Sequence, residues 1–190
     1  IQVLVNALRE LGAQIEYVAN EGFPPLQIQG KALSGNHVSL PGHVSSQYIS
    51  ALLMIGATLT QGLTLTLTGD IISRPYINLT LQLMKDFGAE AFWMNEHELY
   101  VKPQPYQSIP FYIENDWSAA SYWYQIVALS SQATVTLPGL FKKSYQGDSQ
   151  VAQIFRLLGV ETMYGDKTIT LRKSEKTVEH LEYDFINQPD

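Results

Sequence analysis

The apolar positions of this chain fall into a pattern that repeats. Leu4, Leu8 and Leu11 stand at i, i+4 and i+7, as do Ile77, Leu81 and Met84, and again Val151, Phe155 and Leu158. That spacing predicts an amphipathic helix each time. Each stripe is followed by a glycine (Gly12, Gly88, Gly159), a small residue and a strand-like run. Glycine there suits a helix C-terminus, where a left-handed backbone is easiest without a Cβ. Residues 62–69 alternate Leu63, Leu65 and Leu67 with threonines, the period of a half-buried strand, and Thr134-Val135-Thr136-Leu137 repeats the theme. Upstream of each lies a further helical stretch. Residues 45–58 set Tyr48, Ala51, Leu52 and Ile55 on one face, and 116–130 set Ala120, Tyr124 and Val127. Residues 98–102 and 167–173 read as closing strands after polar turns.

The elements combine into a strand–helix–strand–helix–strand–strand unit of about 70 residues, the signature of a duplicated module. The fold class is therefore α/β (α+β), built from repeats. The chain is expected to hold the second half of one unit over 1–40, a whole unit over 40–105 and another over 110–173. An extended run at 183–186 would open a fourth. Pro103, Pro105 and Pro110 cluster where one unit gives way to the next, a natural border. Placed near Glu114 to Asp116, that border divides the chain into 1–115 and 116–190.

Composition narrows the function classes. The 190 residues are 45% hydrophobic and 16% charged, so the chain is globular rather than disordered. A net charge of −6 argues against non-specific nucleic-acid binding, which needs clustered cations. Apolar runs are interrupted by Thr, Ser or Gly well short of bilayer length, so no membrane span is expected. No cationic, apolar leader stands at the start. Cysteine is absent, which removes disulfides, thiolate catalysis and cysteine-based zinc sites, and suits a cytoplasmic setting. Beginning with Ile1 and stopping at Gln188-Pro189-Asp190, the chain reads as a piece of something longer.

Chemistry is sparse. His37, His43, His97 and His180 lack partners at metal-ligand spacing and are expected to be solvated surface residues. No phosphate loop or nucleophile elbow occurs. Instead, small hydroxyl and amide residues stand at helix starts: Val44-Ser45-Ser46-Gln47 before one helix and Ser73-Arg74-Pro75-Tyr76 before another. Ordinary capping explains each alone, with Ser at the cap and Pro in the first turn. The same groups also suit a phosphate, because a helix N-terminus offers unpaired N–H groups and partial positive charge. Arg74 is a cation beside the second start, with a solvated side chain as the default expectation. Lys142 and Lys143 read as surface charge.

The order Phe23-Pro24-Pro25-Leu26-Gln27-Ile28-Gln29-Gly30, Val44-Ser45-Ser46-Gln47-Tyr48, Ser73-Arg74-Pro75-Tyr76-Ile77, Asp116-Trp117-Ser118-Ala119-Ala120-Ser121-Tyr122, Gln146-Gly147-Asp148 and Asn187-Gln188-Pro189-Asp190 resembles the 5-enolpyruvylshikimate-3-phosphate synthases. The resemblance covers essentially the whole chain, in order. The Ser-Ser-Gln and Asp-x-Ser-x-Ala-Ser-Tyr elements are its specific parts. It implies the enolpyruvyl transferase fold, in which each of two lobes is made of three such repeats, and it implies that this chain carries parts of both lobes. It implies transfer of the enolpyruvyl group of phosphoenolpyruvate to the 5-hydroxyl of shikimate 3-phosphate, with release of phosphate, in aromatic amino acid biosynthesis. No cofactor is implied. Carried over residue by residue, Ser45, Ser46 and Ser73 would hold the shikimate phosphate. Gln47 would contact the bound substrates and Tyr76 would line the shikimate side. Asp190 would be the catalytic carboxylate at the ring hydroxyls.

The family's remaining cations and acids lie outside this chain, so the 190-residue piece is expected to be inert. The intact enzyme is expected to be a monomer that binds neither nucleic acid nor membrane. Exposed strand edges predict self-association of the piece. Two other readings stand beside this one. The sister enzyme acting on UDP-N-acetylglucosamine shares the repeat, and a non-catalytic interaction module could be built on the same fold.

Overall fold

A computed structural model describes residues 1–186. The chain divides at Ile109/Pro110 into two compact units, each with its own core.

The first unit opens with helix α1 (Gln2–Glu10), then the antiparallel pair β1 (Gln14–Tyr17) and β2 (Leu26–Gln29). It continues with β3 (His37–Pro41), α2 (Ser46–Gly56), β4 (Leu63–Thr68), α3 (Arg74–Asp86), β5 (Ala91–Trp93) and β6 (Glu98–Val101). These last strands form one sheet in the order β3-β4-β6-β5. β3 and β4 run parallel, with α2 as the connection between them, and the other neighbours are antiparallel. The alternation of β4 plays out as its spacing predicts: Leu63, Leu65 and Leu67 are buried while Thr64, Thr66 and Thr68 are not. Val38 and Leu40 of β3 lie opposite Leu65 and Leu67 and are buried too. Each fully buried leucine contributes about 1.5–3 kcal/mol. Leu11, Ile77 and Met84 close the core from α1 and α3.

One helical face is turned from its expected direction. α2 buries Ile49, Leu52, Leu53 and Gly56, leaving Tyr48, Ala51 and Ile55 half-buried. The core lies along the 49-52-53-56 row, one position on from the stripe inferred from Tyr48. Leu53 and Gly56 were not in that stripe, and Gly56 packs within reach of the Leu63 and Val101 side chains.

The second unit contains α4 (Trp117–Leu129), β7 (Thr134–Pro138), a 3-10 turn (Gly147–Gln150), α5 (Val151–Leu157), β8 (Leu158–Tyr164) and β9 (Thr168–Thr177). The three strands are antiparallel in the order β7-β9-β8. Trp117, Ala120, Tyr124 and Val127 make the buried face of α4, including the positions its spacing marks. α5 passes directly into β8, so Leu158 ends the helix and starts the strand. The glycines after α1, α3 and α5 all have positive φ, of 101°, 80° and 81°.

Two expected strands do not form among the described residues. The strand with which the unit over 110–173 should open, the counterpart of β3, does not form ahead of α4. The stretch there follows Pro110 and is tied down through Asn115 N–H to the Gly139 carbonyl (2.8 Å), while the Glu114 carboxylate turns into the loop at 141–146. Residues 183–186 form no strand either.

Candidate functional site

The two serine-bearing helix starts are built differently. Ser45 caps α2 from a non-helical backbone (φ −51°, ψ 125°), and its Oγ accepts the Gln47 N–H at 3.3 Å. The Ser45 carbonyl accepts the Tyr48 N–H at 3.0 Å. Ser73 caps α3 from a left-handed backbone (φ 55°, ψ 32°) and makes no side-chain cap bond. Its carbonyl accepts the Tyr76 N–H at 3.0 Å, and Pro75 lies in the first turn. Ser73 is 7% exposed, a buried polar residue not used as a side-chain cap. Ser45 and Gln47 are exposed, and Ser46 and Tyr76 are half-buried.

The parallel pair brings the two starts together. Because β3 and β4 point the same way, α2 and α3 both spring from the carboxyl end of that pair. Pro41 sits opposite Thr68; beyond them, Gly42 N–H donates to the Thr68 carbonyl (2.7 Å) and Ile72 N–H donates to the Gly42 carbonyl (3.3 Å). The loop leading to Ser45 is thus stitched to the loop leading to Ser73. Further along the helices the Ser50 and Thr80 hydroxyls meet at 2.7 Å. Ser45, Ser46, Gln47, Ser73 and Tyr76 therefore share one edge of the first unit. The Gln47, Tyr48 and Tyr76 N–H groups are bonded locally and Pro75 has none, so what the two helix N-termini bring together is two partial positive charges, beside which the hydroxyls add directional donors for an anion.

Arg74 is not the solvated cation expected. Its guanidinium lies 4.3 Å from the centroid of the Trp93 ring, and Nη2 donates to the Glu96 carbonyl at 2.8 Å. Asp190 lies outside the described residues. The histidines hold local structure where they are bonded: His37 Nε2 meets Thr66 Oγ1 (3.1 Å), and His97 Nδ1 meets the Leu67 carbonyl (3.2 Å). Among the described residues no cluster of His, Asp and Glu could hold a metal.

In the second unit, the two motifs quoted from 116–122 and 146–148 meet. Asp116 caps α4 by accepting the Ser118 N–H (2.8 Å), Trp117 N–H donates to Gln146 Oε1 (2.9 Å), and the Ser118 hydroxyl bonds the Asp148 carboxylate. At the centre is a residue that sequence reasoning missed. The Glu114 carboxylate accepts from Trp117 Nε1, Phe141 N–H, Ser144 Oγ and Gln146 Nε2. Three of those donors lie 27, 30 and 32 residues further along the chain, so no local pattern around Glu114 could reveal it.

A profile of EPSP synthase (3-phosphoshikimate 1-carboxyvinyltransferase) matches residues 1–189. The chain belongs to the EPSP synthase family. A 3-phosphoshikimate 1-carboxyvinyltransferase of Bacteroides fragilis is 63% identical over 190 residues, which is 100% of this chain and 46% of the relative. One from Aliivibrio fischeri is 37% identical, over 98% of this chain and 44% of its own length. The chain thus spans about half the length of the curated relatives it matches. Two solved structures share its fold. An EPSP synthase from Acinetobacter baumannii matches with a TM-score of 0.65 at 18% identity, covering 92% of this chain and 39% of that one. An enolpyruvyl transferase from Streptomyces tendae matches with a TM-score of 0.63 at 14% identity, covering 94% and 46%. The repeated units found here are accordingly those of the enolpyruvyl transferase fold. For this EPSP synthase family chain, the edge at α2 and α3 is the candidate site in the first unit, and the α4 cap network is its polar counterpart in the second. No helix among the described residues is long and apolar enough to cross a membrane.

Proposed function

We propose that the chain is part of a 3-phosphoshikimate 1-carboxyvinyltransferase and that its α2/α3 edge holds the phosphate of shikimate 3-phosphate. The observation that carries this is the stitching of the two helix starts through Gly42, which puts Ser45, Ser46 and Ser73 at one edge. Ser46 and Ser73 donate hydroxyl hydrogen bonds to the phosphate oxygens, Ser45 keeps α2 capped, and Gln47 reaches the bound substrates from the first turn. Tyr76 lines the ring side. Asp190, outside the described residues, is assigned the carboxylate that takes part in proton transfer at the 5-hydroxyl. In the whole enzyme the enolpyruvyl group passes from phosphoenolpyruvate to that hydroxyl by addition and elimination, and phosphate leaves. Both substrates are anions, so directed hydroxyls, N–H groups and cations are what such a site requires.

The reading assigns the first unit to one lobe and the second to the other, with a cytoplasmic, monomeric whole enzyme. The cations needed for phosphoenolpyruvate are assigned to the rest of the parent, so the isolated piece is inert and associates with itself through open strand edges such as that of β7. Phosphate release from the two substrates, followed in the full-length protein, tests this. Ser46→Ala and Ser73→Ala are expected to raise KM for shikimate 3-phosphate by about tenfold each, the loss of one hydrogen bond to a charged group. An unchanged KM in both variants, or turnover by the 190-residue chain alone, would refute it.

A further inference from the structure

Ser73 is held in a conformation that a serine does not choose. Its φ of 55° lies in the left-handed region, which crowds any residue with a Cβ. Such geometry persists where neighbouring structure over-determines it. Two anchors bracket it. On one side Ile72 N–H donates to the Gly42 carbonyl. On the other, Arg74 reaches across to the far end of the sheet, donating to the Glu96 carbonyl (2.8 Å) and covering the Trp93 ring at 4.3 Å. Asn78, one turn further along α3, accepts the Trp93 Nε1–H at 2.9 Å. Positions i and i+4 of a helix share a face, so α3 grips Trp93 with two residues. The first turn of the helix is thereby clipped to β5 and to the turn that follows it.

We propose that Arg74 is a positioning residue: the clip between Arg74, Trp93 and Glu96 holds Ser73 in its left-handed turn and so fixes where its hydroxyl meets the acceptor's phosphate. This rests on the reading of the α2/α3 edge given above and assigns Arg74 no contact with substrate. A cation over an aromatic face is the element that matters, so lysine should substitute where an uncharged chain of similar length does not.

The test uses the full-length protein. Arg74→Met and Trp93→Ala are each expected to raise KM for shikimate 3-phosphate about fivefold with kcat within about twofold, as loss of uniform binding does. Arg74→Lys should stay within about twofold of the parent, and the double variant should be no worse than either single, because the two residues share one interaction. Amide exchange at Ile72 and Tyr76, whose N–H groups bond Gly42 and Ser73, should quicken about tenfold in Arg74→Met and not in Arg74→Lys. Trp93→Ala attacks the same contact from its other side and serves if Arg74→Met does not fold. An unchanged KM in both single variants, equal losses for methionine and lysine, or additive losses in the double variant would overturn the proposal. If the parent protein lacks carboxyvinyl transfer, the functional reading fails, and the exchange rates alone decide whether the clip exists.

Discussion

Gly62 and Gly69 flank β4 and have nearly the same backbone, φ +70° and +71°, but different surroundings. An alanine Cβ at Gly62 would collide with the Val101 carbonyl oxygen and stand 2.9 Å from Pro103 Cδ. At Gly69 it would meet nothing within 4 Å. The left-handed conformation costs an L-residue about 1–2 kcal/mol, common to both sites. Only Gly62→Ala must also push back the backbone at the end of β6, an overpacking cost of about 1–3 kcal/mol. Gly69→Ala should therefore destabilise by about 1 kcal/mol and Gly62→Ala by about 3 kcal/mol. Urea denaturation followed by circular dichroism reads the difference. With a slope of about 2 kcal/mol per molar, the two midpoints should differ by about 1 M. Equal midpoints for the two variants would show that the Gly62 contact relaxes at no cost, and a larger loss at Gly69 would overturn the argument.

Two further substitutions probe the second unit. Glu114→Gln keeps the size of the side chain but turns an amide toward four donors, and is expected to cost about 1–3 kcal/mol, measured as a lower denaturation midpoint. Burial raises the Tyr124 phenol well above its ordinary value of 10.0, outweighing the lowering effect of the Thr162 hydrogen bond. Below the unfolded value, near pH 10, both states hold the proton and nothing is lost; above it the unfolded chain ionises while the folded one does not, so stability falls as pH rises. Tyr124→Phe should flatten that alkaline fall in a stability–pH profile, and an unchanged slope would count against it.

Much of the fold was legible because period and punctuation coincide. The i, i+4, i+7 stripes ending in glycine mark α1, α3 and α5, and the Leu/Thr alternation marks β4, since each pattern is set by local geometry. What escaped depends on contacts far along the chain. Gly56 of α2 is buried with Val101 of β6 resting against it, a residue that no window around α2 contains. Residues 111–114 and 183–186 have strand-like composition, yet a strand needs a partner, and composition does not supply one. In the candidate site, Ser45 was recognisable as a cap. The left-handed turn at Ser73 and the place of Arg74 over Trp93 were not, because both depend on how β5 and β6 pack beside α3.

Anchoring both helix starts on one parallel strand pair makes the hydrophobic interior the guarantor of fine alignment at the edge. A slip of β3 by one residue would turn Val38 and Leu40 toward solvent and carry the α2 start about 3.3 Å along the strand, away from Ser73. Leucines with no route to any small molecule thus act as the ruler by which the serines are spaced. If the edge holds a phosphate as proposed, lesions in them would loosen the spacing of the serines as well as the core.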